Sequence, residues 1–294
     1  MAQHPLSNVT PAKAGPPHNK AGRPPSRVED GVQSWIPASA GMTATAEPPP
    51  AYARHPKSIR ILNSRVDQVT QADAIEWVKS FLADGAVHQV ITANTLMLIE
   101  AQQNAELVQV IESAALVVPE SSGVAWAAWQ MGTPLDSIVP GIDLFQALCR
   151  LARDLDRSIY LLGAQPGVAE QAAVSLSAYY PGLRVAGTHH GYFSPAEEVA
   201  VVANIHEASP GFLFVALSVP AQELWIKRHL AALGVPVVMG VGGSLDVISG
   251  RLRRAPGWLR ELNLEWLYRT VQEPWRLKRI IQLPLFVWKI LRSS

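Results

Sequence analysis

The sequence is poor in cysteine, in long hydrophobic runs and in any excess of one charge. Its 294 residues include one cysteine, which excludes an intrachain disulfide and is typical of a reducing compartment. No stretch reaches the roughly 18 to 20 apolar residues of a membrane-spanning helix, and no secretory signal is recognisable at the start. The formal net charge of +1 is not that of a nucleic-acid-binding protein. We therefore expect a cytoplasmic protein without a nucleic-acid partner.

What is present is an ordinary globular composition, with 48% hydrophobic and 17% charged residues. This length and apolar content are typical of one or two domains with a substantial core. The single cysteine, Cys149, lies in the helical pattern DLFQALCRLARDL. That context favours a buried core thiol over a catalytic nucleophile.

The positive charge is concentrated at the C-terminus. Residues 251–294 contain ten Lys or Arg against three Asp or Glu, a local charge of +7, so the preceding part carries about −6. On one continuous helix Arg269, Arg276 and Arg279 would share a face, and we predict that they bind phosphate together with Arg254. The alternative is a solvated basic face.

Aromatic residues are interleaved with these cations along the C-terminal segment: Trp258, Trp266, Tyr268, Trp275, Phe286 and Trp288. This mixture predicts peripheral attachment to the anionic inner face of the membrane, and the apolar tail leaves self-association to a homo-oligomer open.

Three segments follow from the changes in composition. Residues 1–57 are rich in Pro, Ala, Gly and Ser without periodicity, which predicts a disordered extension, or an over-long start with Met42 as the true one. Residues 58–250 form the predicted core. Residues 251–294 form the basic, aromatic helical appendage.

The core alternates between strand and helix patterns. SIRILNSRV and HQVITAN predict strands, TQADAIEWVKSFLADG predicts a helix capped by Thr70, and a single helix is predicted over 95–114. The alternation continues through SIYLLG, GFLFVALS and VPVVMGVGG. It predicts an α/β fold: a Rossmann-like parallel sheet sandwiched by helices, with ligands at the carboxyl edge of the strands.

Glycines follow two of the predicted strands. Gly163 and Gly167 let backbone N–H groups approach an anion at a helix start, although a plain strand-to-helix turn is equally compatible. Gly242 and Gly243 follow another strand, and Asp246 comes three residues later, within reach of a ligand hydroxyl. Together these junctions favour a nucleotide-type ligand.

Polar residues open the helix after a further strand, in VALSVPAQELW. Pro220, Gln222 and Glu223 lie in this turn, where the last two side chains are placed to bond a base or a sugar. Simple capping of the helix is the alternative.

Polar residues also follow two strands of the first half. Thr92 and Asn94 end one strand, and Glu120 follows the next, in LVVPESSG. A carboxylate at this edge is a candidate general base, and a surface loop carboxylate is the alternative.

No metal site is predicted. Asp154 and Asp156 mimic a DxD metal motif but end a helix between arginines, which favours a solvated charge run. His189 and His190 have no further partner at ligand spacing.

The motifs resemble the WecG/TagA/CpsF family of bacterial glycosyltransferases. The longest match is GVGGSLDVISGRLRRAPGWLRELNLEWLYRTVQEPWRLKR, supported by YLLGAQPGVAE, VPAQELW, ITANT and PGIDL. The resemblance implies metal-independent, inverting transfer of a sugar, often of the N-acetylmannosamine type. The donor would be a UDP-sugar and the acceptor polyprenyl-diphosphate-linked, in surface polysaccharide synthesis. It also implies that Glu120 is the base, with Thr92 and Asn94 beside it and the appendage arginines closing the site; it implies no cofactor.

The sequence departs from the family pattern in the acceptor half. Glu120 and Ser121 replace an aspartate and a glycine, Ile138 replaces an arginine, and the loop at 218–223 lacks a glycine and a lysine. These departures leave open a different sugar or acceptor, weaker activity, or a catalytically impaired nucleotide-sugar-binding protein. An NAD-dependent oxidoreductase is disfavoured, because no GxGxxG with a following acidic residue is present.

Overall fold

Strands and helices alternate along the described part of the chain. The computed structural model describes residues 56–262, 264–274 and 277–293, so the predicted extension lies, up to residue 55, outside the described residues. The strands are β1 (Ser58–Ile61), β2 (Ser64–Asp67), β3 (His88–Ala93), β4 (Leu116–Pro119), β5 (Ser158–Gly163), β6 (Arg184–His189), β7 (Phe212–Ala216) and β8 (Val237–Gly240). The helices are α1 (Gln71–Ala83), α2 (Thr95–Ala101), α3 (Ala105–Ser113), α4 (Ser122–Gln130), α5 (Gly141–Asp154), α6 (Val168–Tyr179), α7 (Pro195–Ala208), α8 (Ala221–Leu233), α9 (Ser244–Ile248), α10 (Gly257–Glu261), α11 (Glu265–Gln272), α12 (Leu277–Ile280) and α13 (Gln282–Ser293).

Six strands form one sheet in which every neighbouring pair is parallel. The order is β4-β3-β8-β7-β5-β6, and Val90 of β3 lies beside Leu116 of β4 and Met239 of β8. β1 and β2 form a separate antiparallel hairpin. The predicted fold, a Rossmann-like parallel sheet sandwiched by helices with a C-terminal helical appendage, is confirmed.

Helices cover both faces of the sheet, so the strands are apolar on both faces. Val90 and Leu116 belong to the core cluster that packs against α1, α5 and α6, whereas Ile91 and Val117 belong to the cluster of α2, α3 and α4. This alternation follows from the two-residue period of a strand. Cys149 is fully buried in the first cluster, which confirms the predicted core thiol.

The start of α1 is as predicted, whereas the single helix over 95–114 is wrong. Thr70 caps α1 and exchanges hydrogen bonds with Asp73 in a capping box. The second segment divides into α2 and α3, because Asn104 accepts a hydrogen bond from the Leu107 N–H at 3.0 Å. A short polar side chain that bonds the backbone locally begins a new helix where the periodicity indicated continuation.

The C-terminal segment is broken into short helices. The predicted placement of Arg269, Arg276 and Arg279 on one continuous helix is therefore wrong, because Arg269 belongs to α11 and Arg279 to α12. Pro274 lies between these two helices; it has no N–H to donate, and its ring disfavours helical geometry in the preceding residue. Arg276 and the side chain of Arg279 lie outside the described residues.

The last helix, α13, is part of the core. It contacts α2 and α4, with Phe286 and Ile290 fully buried and Phe286 beside Trp126 at a ring-centroid distance of 6.5 Å. Most of its other apolar side chains, including Trp288 and Leu291, are exposed. None of the helices in the described ranges combines the length and apolarity needed to cross a bilayer.

The carboxyl edge of the sheet contains a crevice. The helices that follow β3 and β7 pack on one face, whereas those that follow β5 and β8 pack on the other. Adjacent strands therefore send their loops in opposite directions, and ligands bind at such switch points in open α/β sheets.

We predict that Phe286→Ala lowers the free energy of unfolding by about 3–5 kcal/mol, because truncation of a buried aromatic side chain leaves a cavity. Leu291→Ala, on the exposed face of the same helix, should change it by less than about 0.5 kcal/mol. Urea denaturation followed by circular dichroism measures both. Equal effects of the two variants would show that α13 does not pack as described.

Candidate active site

The carboxylate of Glu120 lies at the carboxyl edge of the sheet, directly after β4. Its Oε2 accepts a hydrogen bond from Asn94 Nδ2 at 3.0 Å, and its Oε1 accepts one from the Gly141 N–H at 3.2 Å. The Thr92 side chain lies close to this carboxylate and favours its charged form. Thr92 belongs to β3, Asn94 caps α2 and Gly141 begins α5. The structure thus brings together the three residues predicted at this edge.

The space around this carboxylate requires a glycine at position 141. A Cβ there would lie 2.7 Å from Glu120 Oε1 and 3.3 Å from the Thr92 hydroxyl oxygen. The first distance is shorter than non-bonded contacts allow, so a larger residue would displace the carboxylate from its donors. Gly141 therefore takes part in the site through its N–H and through its lack of a side chain.

Opposing effects set the pKa of Glu120. Burial of the carboxyl raises the pKa above its usual 4.5, because the charged form loses hydration. The hydrogen bond from Asn94, the positive charge of Arg269 and the donors Gly141 and Thr92 act in the opposite direction. The net result is a pKa above the usual value, so Glu120 binds a proton more strongly than an exposed glutamate does.

Gln222 and Glu223 are buried at the start of α8. Gln222 Oε1 accepts a hydrogen bond from the Gly242 N–H at 3.1 Å, and its Nε2 donates to Glu223 Oε1 at 2.6 Å. Neither side chain caps α8, whose N-cap is Pro220. The pair joins the loop after β8 to the start of α8 and faces the sheet.

The glycines predicted to approach a ligand lie in the loops after β5 and β8. Gly163 ends β5 with φ of 125°, and a Cβ there would lie 2.3 Å from the backbone oxygen of Ala216 in β7. Gly167 is the N-cap of α6, and Gly243 that of α9, directly after Gly242. Both loops therefore lie at the carboxyl edge.

A cavity of about 900 Å³ opens at this edge. The loops after β5, β6 and β7 form one side of it, through residues such as Gln165, Tyr192 and Ser218, and α8 contributes Arg228. The side formed by α9 and the C-terminal segment contains Asp246, Arg251, Leu252 and Glu273. The strand ends and the C-terminal segment thus line the same cavity, and Asp246 is the predicted ligand-binding residue found in its lining.

Ion pairs connect the C-terminal segment to the core. Arg254 forms a bidentate contact with Asp143 of α5, with Nη1 to Oδ1 at 2.6 Å and Nη2 to Oδ2 at 2.8 Å. Its Nε lies 4.0 Å from Glu265 Oε1, and Arg269 Nε lies 3.8 Å from the same oxygen. Burial tends to lower the pKa of Arg254, but Asp143 and Glu265 raise it above its usual value.

Comparison with known proteins decides the family. The family model described as the Glycosyl transferase WecG/TagA/CpsF family matches residues 59–294. The chain belongs to this family. It is also similar to the N-acetylglucosaminyldiphosphoundecaprenol N-acetyl-beta-D-mannosaminyltransferases of Staphylococcus aureus strains MW2 and COL. Each is 33% identical over 238 residues, which cover 80% of this chain and 93% of the relative. The resemblance identified from the motifs is confirmed, and this chain is a WecG/TagA/CpsF-family glycosyltransferase.

The acidic and histidine pairs of this glycosyltransferase have ordinary partners. Asp154 pairs with Arg153 at 2.6 Å and Asp156 with Arg184 at 3.1 Å, as in a solvated charge run, and His189 bonds the backbone of its neighbour. Within the described residues, no group of three or more His, Cys, Asp or Glu side chains is placed to hold a metal ion.

The sequence analysis did not identify three residues of the candidate site. Gly141 and Asp143 lie in the PGIDL block, which contributed to the family resemblance but carried no assigned role. Arg251 lines the cavity, although only other arginines of the tail were singled out. The sequence feature that could have identified Gly141 and Asp143 is their position in the first turn of a predicted helix. In the structure this turn lies beside the loop that carries Glu120.

The carboxyl of Glu223 is also strongly perturbed. Burial raises the pKa to about 7, the hydrogen bond from Gln222 opposes this rise, and the negative charge of Glu120 adds to it. Because the folded pKa exceeds the usual 4.5, the folded protein binds more protons between these two values than the unfolded chain does. The contribution of Glu223 to stability is therefore complete below pH 4.5 and is lost as the pH rises through about 7.

We predict that Glu223→Gln removes this loss, which is on the order of 3 kcal/mol between pH 4.5 and pH 8. The neutral amide cannot ionise, so the free energy of unfolding should fall less with rising pH than in the wild type. Urea denaturation at pH 5, 6, 7 and 8 measures the difference. Glu207→Gln, at an exposed position on α7, is the control and should follow the wild type; parallel curves for all three proteins would contradict the assignment.

Proposed function

We propose that this enzyme transfers an N-acetylmannosamine-type sugar from a UDP-sugar to a polyprenyl-diphosphate-linked N-acetylglucosamine, in surface polysaccharide synthesis. The observation that carries the proposal is the Glu120 carboxylate at the carboxyl edge, held by Asn94, Thr92 and the Gly141 N–H beside the charge of Arg269. The activity for which the relatives are named, transfer of N-acetylmannosamine to N-acetylglucosaminyldiphosphoundecaprenol, supports this choice of substrates.

The reaction is a single displacement with inversion at the anomeric carbon. The acceptor hydroxyl oxygen bonds the anomeric carbon, the bond from that carbon to the phosphate oxygen breaks, and UDP leaves with the electron pair. Glu120 takes the proton of the hydroxyl. Its raised pKa suits this role, because a stronger base removes the proton more effectively, and each carboxylate oxygen keeps a lone pair beside its existing hydrogen bond.

The cavity suits the nucleotide end of the donor. Arg228 and Arg251 provide cationic groups for phosphate oxygens, Tyr192 offers an aromatic face for a base, and Asp246 offers a carboxylate for sugar hydroxyls. Arginine cations of the C-terminal segment would stabilise the charge that develops on the leaving diphosphate, so the proposed reaction requires no metal ion.

The exposed apolar side chains of the C-terminal segment suit a membrane surface. Trp258, Trp266 and Trp288 are 61%, 44% and 49% exposed, in a segment with a local charge of +7. Tryptophan prefers the interface between headgroups and acyl chains, and cationic residues attract anionic lipids. We therefore propose peripheral binding at the inner face of the cell membrane, where a polyprenyl-linked acceptor is within reach.

The purified enzyme should transfer sugar from UDP-N-acetylmannosamine to N-acetylglucosaminyl-diphospho-undecaprenol in the presence of EDTA. Incubation with a panel of UDP-sugars, followed by mass spectrometry and by NMR of the new anomeric centre, tests donor, acceptor, metal requirement and inversion together. Glu120→Gln should lower kcat by about 10²-fold or more, because the amide cannot take up the proton. Glu106→Gln, at an exposed position on α3, should retain wild-type kcat.

Wild-type turnover by Glu120→Gln would remove Glu120 from the mechanism. Binding of UDP without turnover with any donor or acceptor would favour the nucleotide-sugar-binding alternative. A retained anomeric configuration, or activity abolished by EDTA, would overturn the mechanism while leaving the family assignment intact.

The pH dependence of kcat should have an acidic limb above pH 4.5, because activity needs ionised Glu120 and burial raises the pKa of this group. Activity is lost as the pH falls through that pKa. Arg269→Met should move the limb to higher pH, since the cation that lowers the Glu120 pKa is removed. Initial rates from pH 4 to 9 measure both profiles. An acidic limb at the same pH in both proteins would show that Arg269 does not influence the pKa of Glu120.

A further inference from the structure

Four alternating charges connect α5 to α11. Asp143 contacts Arg254 through both carboxylate oxygens at 2.6 and 2.8 Å, Arg254 lies 4.0 Å from Glu265, and Glu265 lies 3.8 Å from Arg269. Side-chain exposures of 22% to 31% show that the four groups are largely shielded from water. The bidentate contact between Asp143 and Arg254 is the strong and directional one. The contacts of Glu265 at 3.8 and 4.0 Å are longer than hydrogen bonds and act through charge.

Each end of this series of ion pairs is linked to Glu120, one through a neighbouring backbone donor and the other through its charge. Asp143 lies in the first turn of α5, two residues after Gly141, whose N–H donates to Glu120. Arg269, at the other end, is the cation whose charge lowers the pKa of Glu120. The ion pairs therefore connect two separate parts of the chain that both act on Glu120.

Little apolar packing is available to fix α11 in this place. Thr270 is its buried residue, whereas Trp266, Leu267 and Val271 are exposed. The Gln272 side chain forms two hydrogen bonds with the backbone of Arg253, and these complement the ion pairs. Directional polar contacts must therefore supply much of the positional order of α11.

We propose that Asp143, Arg254 and Glu265 are positioning residues that form a tether and hold Arg269 beside Glu120. The proposal rests on the proposed function, because it assumes that Glu120 accepts the proton of the acceptor. Arg254, predicted from the sequence to bind substrate, acts here through its carboxylate partners. The tether aligns the C-terminal segment with the base of the reaction.

Loss of the tether has a defined electrostatic consequence. The groups that act on Glu120 are Thr92 from β3, Asn94 from the start of α2, the Gly141 N–H, Arg269 from α11 and the carboxyl of Glu223 from α8. Arg269 is the cation in this set, so its displacement removes the favourable charge and leaves burial and the acidic neighbour. The pKa of Glu120 then rises.

The test compares the full-length variants Asp143→Asn, Arg254→Met, the double variant and Arg254→Lys with the wild type. Each of the first three should lower kcat about 10- to 100-fold and move the acidic limb of the pH profile to higher pH. The double variant should be no worse than the single variants, since both remove one contact. Arg254→Lys retains the charge and should restore part of the activity.

Hydrogen-exchange mass spectrometry should show about tenfold faster exchange of the α11 amides in the variants that lack the tether.

Asp156→Asn is the matched control, because it removes an ion pair with Arg184 at the opposite edge of the sheet; it should leave the pH profile and the exchange of α11 unchanged. If Asp143→Asn changes neither the acidic limb of the pH profile nor the hydrogen exchange of the α11 amides, the proposed tether is wrong. Additive losses in the double variant would overturn it as well. Hydrogen exchange needs no substrate, so faster exchange in an enzyme without turnover would support the tether while rejecting the proposed function.

Discussion

The site depends on one balance, between the cost of removing the Glu120 carboxylate from water and the donors that surround it. A buried carboxylate is stable only when hydrogen bonds or opposite charges replace its hydration. Here Asn94, Thr92, Gly141 and Arg269 provide that replacement. They come from β3, the start of α2, α5 and α11. The position of one carboxylate therefore constrains elements that are far apart in the sequence.

The sheet order explains how these elements meet. β3, the first strand of the sheet in the sequence, lies between β4 and the last strand, β8. This order brings the loop that carries Glu120 close to the start of α8, where the charge of Glu120 raises the pKa of Glu223. It also brings Gln222 within bonding distance of the Gly242 loop. A parallel sheet places all these strand ends at one edge, and the C-terminal segment then packs over that edge through Asp143 and Arg254.

Local signals predicted much of the fold, whereas the contacts that complete the site are long-range. Alternating periodicities gave the parallel sheet, and Thr70 marked the start of α1. Asn104 is a capping residue that begins a new helix inside a periodic apolar pattern, and the pattern alone does not show this break. Pro274 likewise separates arginines whose spacing alone matches one helix. The pair of Asp143 with Arg254 joins residues 111 positions apart, and no pattern in a single sequence connects two such charges.

The two carboxyl groups at this edge have different surroundings. Glu120 has donors on both oxygens and a nearby cation, whereas Glu223 receives one hydrogen bond, from Gln222, and has a pKa of about 7. Like charges in one buried region repel, so ionisation of one group opposes ionisation of the other. The negative charge of Glu120 raises the pKa of Glu223, so an ionised Glu120 favours the neutral form of Glu223. Gln222 bonds both Glu223 and the Gly242 loop, so the protonation state of this pair is coupled to the backbone at the carboxyl edge.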